Sequence, residues 1–179
     1  MAEEQQEKPK ICEVLDAIIQ HIGDVFSWLS ILLVAAIIIQ VILRYVFGRG
    51  LVILEELQYH FYGMMFMIAV SYALITNSHI RLDLLHANFS PRKKEIAEVF
   101  GIIFLLMPMI VIIFLHSLDF LADSWRVNER SDAPMGLPFR WAFKAFIPIG
   151  IGLLGVAAGS RLIRGIVFLF HKKSSKDHE

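Results

Sequence analysis

Four long apolar runs divide the chain, at about residues 26–43, 51–75, 99–118 and 141–160. Each is close to the ~20 helical residues needed to cross a hydrocarbon core. The third run contains Pro108, which predicts a kink. Before the first run, residues 10–25 follow a different rule. Ile11, Val14, Leu15, Ile18, Ile19, Ile22 and Val25 recur at helical spacing, and Glu13, Asp16, Gln20, His21 and Asp24 sit between them. That pattern predicts an amphipathic helix. Interfacial helices usually meet anionic lipid with Lys and Arg. This polar face is acidic, so packing against a partner protein is an equal alternative to lying flat on lipid. The expected fold class is an all-α membrane protein: a single domain of four transmembrane helices preceded by an amphipathic interfacial helix, with 161–179 as a basic end.

Composition supports lipid as the solvent. Of 179 residues 56% are hydrophobic, and mean hydropathy is +0.61, above the 45–50% apolar share usual in soluble domains. Lys plus Arg and Asp plus Glu both number 17, so charge suggests no nucleic-acid partner. Cys12 is the single cysteine, which leaves no internal disulfide and no multi-cysteine metal site. The polar Met1–Lys10 segment followed by an over-long apolar run does not read as a signal peptide.

The distribution of Lys and Arg sets the expected orientation. With the N-terminus inside, eleven fall on the inner side (Lys8, Lys10, Arg81, Arg92, Lys93, Lys94, Arg161, Arg164, Lys172, Lys173 and Lys176). Six fall outside: Arg44, Arg49, Arg126, Arg130, Arg140 and Lys144. Both termini are expected in the cytoplasm.

Polar groups inside spans are costly and so mark candidate sites. Glu55 and Glu56 lie about one turn into the second run, His60 shares a face with Glu56, and Arg44 ends the first run across a short turn holding Gly48 and Gly50. Arg44 is placed to pair with Glu55 or Glu56. An ion-handling carboxylate is the functional alternative, but no matching deep carboxylate or amide stands out, so an ion pair is expected. The Glu–His pair misses the paired motifs of di-iron bundles, and no metal or other cofactor is expected. His60 and His116 form the one conceivable haem pair, which keeps a haem b anchor of a redox enzyme as an alternative. In the fourth run, Gly155 and Gly159 form a small-xxx-small step that suits close helix approach to an intramembrane partner. A homo-oligomeric channel or exporter built on that face is the other alternative.

Three signatures in order carry a family resemblance. They are Arg44-Tyr45-Val46-Phe47-Gly48 with Glu55-Glu56-Leu57, then His79-Ile80-Arg81-Leu82-Asp83, then Ser131 to Trp141 with Pro134, Gly136 and Pro138. With four spans around them, the chain resembles the small membrane subunit (DctQ-like) of tripartite ATP-independent periplasmic (TRAP) transporters. Members often carry Trp before the Glu–Glu pair where this chain has Leu54, and the loop around Trp125 and Asn128 is longer than in compact members. The resemblance implies a bacterial inner-membrane scaffold without catalysis. Its partners would be a large multi-span membrane subunit, a periplasmic substrate-binding protein and membrane lipid. The machine would import a carboxylate-bearing solute on a sodium gradient. It also implies that Arg44, Glu55, Glu56, His60, His79, Arg81, Asp83, Gly155 and Gly159 are structural or interface residues. Ser131, Pro134, Gly136, Pro138 and Trp141 would lie at the binding-protein dock.

Overall fold

A computed structural model describes residues 9–76 and 90–174, all helix and connecting loop. Helix α1 (Lys10–Ser27) runs into α2 (Leu29–Tyr45) through Trp28, which keeps right-handed helical angles. A hairpin turn leads to α3 (Val52–Ile75). Then come α4 (Pro91–Gly101), a π-helical turn (Ile102–Leu106) and α5 (Met107–Arg126). After a loop, short α6 (Arg140–Lys144) continues into α7 (Phe146–Ser174). His79, Arg81 and Asp83 lie outside the described residues.

Among the described residues, three helical stretches are long and apolar enough to cross a membrane: Lys10–Tyr45, Arg92–Arg126 and Arg140–Leu169. α3 is not one of them, because Glu55, Glu56, Gln58 and His60 crowd its first third. Its 24 residues nonetheless extend about 36 Å at ~1.5 Å per residue.

The N-terminal helix departs from expectation. It does not stand apart at an interface but forms one rod with α2, and it packs along α3 and α7. The reason is a second stripe that the apolar positions concealed. Cys12, Asp16, Ile19, Gly23 and Phe26 recur at alternating steps of four and three, and Leu33, Ala36, Gln40 and Leu43 continue the pattern. That period keeps one seam facing neighbouring helices. Cys12 and Ile19 are buried there, Phe26 meets Phe146 edge-on, and Gly23 lets the Tyr72 ring approach where any Cβ would collide at 2.5 Å. Of the apolar stripe read from the sequence, Ile11, Val14, Ile18 and Val25 point outward, while Ile19 belongs to the buried seam.

Only nine hydrophobic residues are buried among those described, and the buried polar residues are Gln40 and four serines. Helices in lipid gain nothing from hiding Leu from Leu, so they associate through small residues and hydrogen bonds. Ala157, Ala158, Ser160 and Ser71 fill that role, with Ser71 donating to the Gly150 carbonyl at 3.3 Å. Pro108 follows a π-helical turn: it has no N–H and excludes the carbonyl one turn back, and Met107 N–H reaches to Ile102 O.

The tightest glycine contact between α3 and α7 lies at Gly150, where a Cβ would stand 2.7 Å from Met67 Cβ and 3.0 Å from its carbonyl oxygen. Gly155 faces Ile110 of α5 at an ordinary 3.5 Å, and Gly159 meets nothing within 4 Å. We predict that Gly150→Ala lowers stability by about 1–3 kcal/mol, the usual cost of overpacking. Gly159→Ala should fall within about 0.5 kcal/mol of the parent. Denaturation in mild detergent checks both; equal effects would refute this account of the crossing.

Candidate functional site

The first polar centre is the α2–α3 hairpin. Gly48 takes φ +65°, a left-handed turn conformation that favours glycine. Buried Gln40 accepts from Leu51 N–H at 3.2 Å and donates to Glu55 at 3.0 Å, so one amide clasps both sides of the turn. Sequence reading missed Gln40. It was visible as the lone amide in an otherwise apolar run, and it is the matching amide that reading did not find. Arg44 does approach Glu55, at 3.8 Å, but the pair is 66% and 44% exposed and is worth little beside Gln40.

Glu56 points elsewhere. Its carboxylate accepts from the Ser131 hydroxyl and, at 2.6 Å, from Leu137 N–H. The second-run carboxylate and the third signature are thus one site. Gly136 is required there, since a Cβ would run into Ser131 and stand 3.0 Å from Glu56. Ser131 N–H donates to Leu137 O, Ala133 N–H to Ser131 Oγ, and Gly136 N–H to Ala133 O, which closes a compact loop over the carboxylate. Pro134 and Pro138 stiffen the loop. Met135 and Phe139 are held at φ +62° and +59°. Non-glycine residues adopt such angles only when the surroundings impose them. His60 bonds the Glu56 main-chain carbonyl through Nδ1, and its ring lies 4.1 Å from Phe143. His116 stands exposed on α5.

Glu129 anchors the other side of the loop. It receives Lys144 and the Ser124 hydroxyl, and its carbonyl accepts Arg140 N–H at 3.0 Å. Trp141 packs on Trp125 with centroids 4.0 Å apart and donates to Asn128. Lys144 also lies 3.9 Å above the Phe120 ring. The Lys144 and Ser124 hydrogen bonds hold the Glu129 carboxyl below its usual range. A depressed carboxyl contributes stability that is present above the unfolded value and lost as pH falls through the folded one. Acidification below about pH 4.5 should therefore loosen the loop, read as a change in Trp125–Trp141 fluorescence. Glu129→Gln should start loosened and lose that acid response; an unchanged response would reject this origin.

At the opposite end, Arg161 on α7 binds Glu95 and Glu98 of α4 with four contacts of 2.6–3.1 Å. Arg164 pairs with Asp16 of α1 at 3.1 Å, and Ser160 donates to the same carboxylate at 2.8 Å. The expectation that the acidic face of α1 seeks a lipid surface or a partner is corrected for Asp16, which is answered within the chain. Sequence reading placed Arg161 and Arg164 in a basic terminal segment and missed their partners. Glu95 with Glu98 and Arg161 with Arg164 share one spacing of three, a usable signal.

A family model described as tripartite ATP-independent periplasmic transporters, DctQ component, matches residues 14–168. The chain belongs to this family. Comparisons with curated proteins and with solved structures found no match. A DctQ component is a part of a membrane transporter, and the membrane-crossing helices of this chain agree with that. The matched region covers the Gln40 hairpin, the Glu56 loop and both arginine centres.

Proposed function

We propose that this DctQ component is the fixed, non-catalytic scaffold of a sodium-driven importer of a carboxylate-bearing solute. In this reading the α1–α2 rod, α3, α4–α5 and α7 make four crossings, with both termini cytoplasmic as the Lys and Arg distribution favours. The chain clamps the large membrane subunit, and the Ser131–Trp141 loop contributes to the surface that receives the binding protein.

The observation that carries the reading is how the partly buried charge is used. Asp16, Glu56, Glu129, Arg161 and Arg164 are all engaged with groups of this same chain, at two ends of the bundle. Charges engaged this way lock helices together rather than handle a solute. Outside them, Tyr45, Val46 and Phe47 at the hairpin and Met135 and Phe139 in the loop expose apolar surface beyond the helix ends, which suits contact with a partner. Gly159, with open space before it, is the part of the small-residue step that a partner helix could approach.

The test is co-purification of the tagged chain from its native membranes in mild detergent, with mass spectrometry of what accompanies it. A stoichiometric polytopic subunit supports the scaffold, and crosslinks from the 131–141 loop to a periplasmic protein support the dock. A chain that comes alone, or with haem and soluble redox subunits, overturns the reading.

A further inference from the structure

A groove of about 260 Å³ lies between α3 and the α6–α7 segment. At the loop end of the bundle it is lined by Arg140, which begins α6. From there it runs inward past His60 and Phe143 to Met64, Met67 and Ile147. Gly63 forms part of its wall, and a Cβ there would meet no atom within 4 Å. There is thus open space beside this position, and a larger side chain there would enter the groove.

Arg140 is the unusual member. Its side chain is 35% exposed, and its guanidinium makes no hydrogen bond among the described residues. The nearest ion-pair oxygen belongs to Glu129, at 3.9 Å, too far for a hydrogen bond. Two carboxylates stand in the neighbourhood, and both are engaged by others: Glu129 by Lys144 and Ser124, Glu56 by Ser131 and Leu137. Arg140 therefore pairs with Glu129 only at long range and keeps its five N–H donors open to an external acceptor.

We propose that this groove holds one phospholipid from the leaflet at that end of the bundle, with its phosphate on Arg140 and an acyl chain along Met64, Met67 and Ile147. The groove is cationic at the loop end, with Arg140 and Lys144, and apolar further along the helices, the same order in which a lipid presents phosphate and tail. The two non-ester oxygens of a phosphodiester match the guanidinium fork, and basic clefts between membrane helices are suited to anionic head groups. A carboxylate from a neighbouring protein would satisfy Arg140 but leave the apolar length unfilled. Lys144, already bound to Glu129, adds positive field without direct contact.

The test is native mass spectrometry of the full chain released from detergent, titrated with dioleoyl phosphatidylglycerol or with dioleoylglycerol, which has the same tails and no phosphate. The parent chain should retain one phosphatidylglycerol at saturation, with far less dioleoylglycerol. Arg140→Gln should weaken retention about tenfold, as expected for losing a charged hydrogen-bonding partner. Gly63→Leu should do the same with Arg140 intact, by filling the groove, so a folding defect in one variant leaves the other informative. Retention unchanged in either folded variant, or equal binding of dioleoylglycerol, overturns the proposal. So does a purified complex in which Arg140 crosslinks to a carboxylate of another subunit and no lipid is retained.

Discussion

Arg161→Leu is expected to destabilise the chain by about 3–5 kcal/mol, the cost of breaking a buried ion pair from one side. The arginine is 13% exposed, and Glu95 and Glu98 are 16% and 24% exposed. Removing the guanidinium leaves two carboxylates close together without the cation they share. Position matters as much as charge. Glu95 lies across Gly165, where a Cβ would stand 2.8 Å from its Oε1 and 2.7 Å from Val99 Cγ2, so α4 is drawn against α7 at this point. With that tie gone, α4 and the π-helical turn should separate from α7 before the rest unfolds, which hydrogen exchange over residues 91–106 reads directly. The triple variant Arg161→Leu, Glu95→Leu, Glu98→Leu should recover much of the loss, because well-packed apolar groups often replace a buried ion cluster at little cost. If the single variant is as stable as the parent, the cluster is not what joins these helices.

What the sequence made legible follows from what each signal measures. Apolar run length matched α3 closely and fell within the longer helical stretches that hold the third and fourth runs, since lipid demands length above all. Two features of the same pattern misled. In α1 the outward stripe of Ile11, Val14, Ile18 and Val25 is more apolar than the seam of Cys12, Asp16, Ile19 and Gly23 that faces the bundle. Inside a membrane, apolarity marks the surface given to lipid and small or polar residues mark the contact, the reverse of a soluble helix. For the same reason the Gly155 and Gly159 step drew attention while the tighter crossing at Gly150 did not; which glycine meets a backbone depends on rotation about the helix axis, which spacing alone does not fix.

The sites were half legible. Glu55, Glu56, Ser131, Gly136 and Trp141 were each singled out, but nothing local says that a carboxylate in α3 closes a loop more than seventy positions later. Long-range partners such as Asp16 with Arg164, or Glu95 with Arg161, are likewise set by the helix register. The unpaired charges in apolar helices were the clue that partners existed.

Glu56→Ala should release the loop from Ser131 to Phe139 while leaving the helices in place. Two hydrogen bonds to an ionised acceptor are lost, at ~1.5–3 kcal/mol each. The gross local loss is about 3–6 kcal/mol, and release of Met135 and Phe139 from left-handed backbone angles returns part of it, so hydrogen-exchange protection at the Leu137 amide should fall. Glu56→Gln should retain most of that protection, since its carbonyl can accept from Leu137 N–H while its amide donates to Ser131. Glu55→Ala is the control: it severs the Gln40 clasp and the exposed Arg44 contact but touches nothing in the loop, so Leu137 should remain protected. Because the loop is also the proposed dock, Glu56→Ala should weaken capture of the binding protein with the large subunit still attached. Leu137 protection equal to the parent's in Glu56→Ala would mean that the loop holds its shape without this carboxylate.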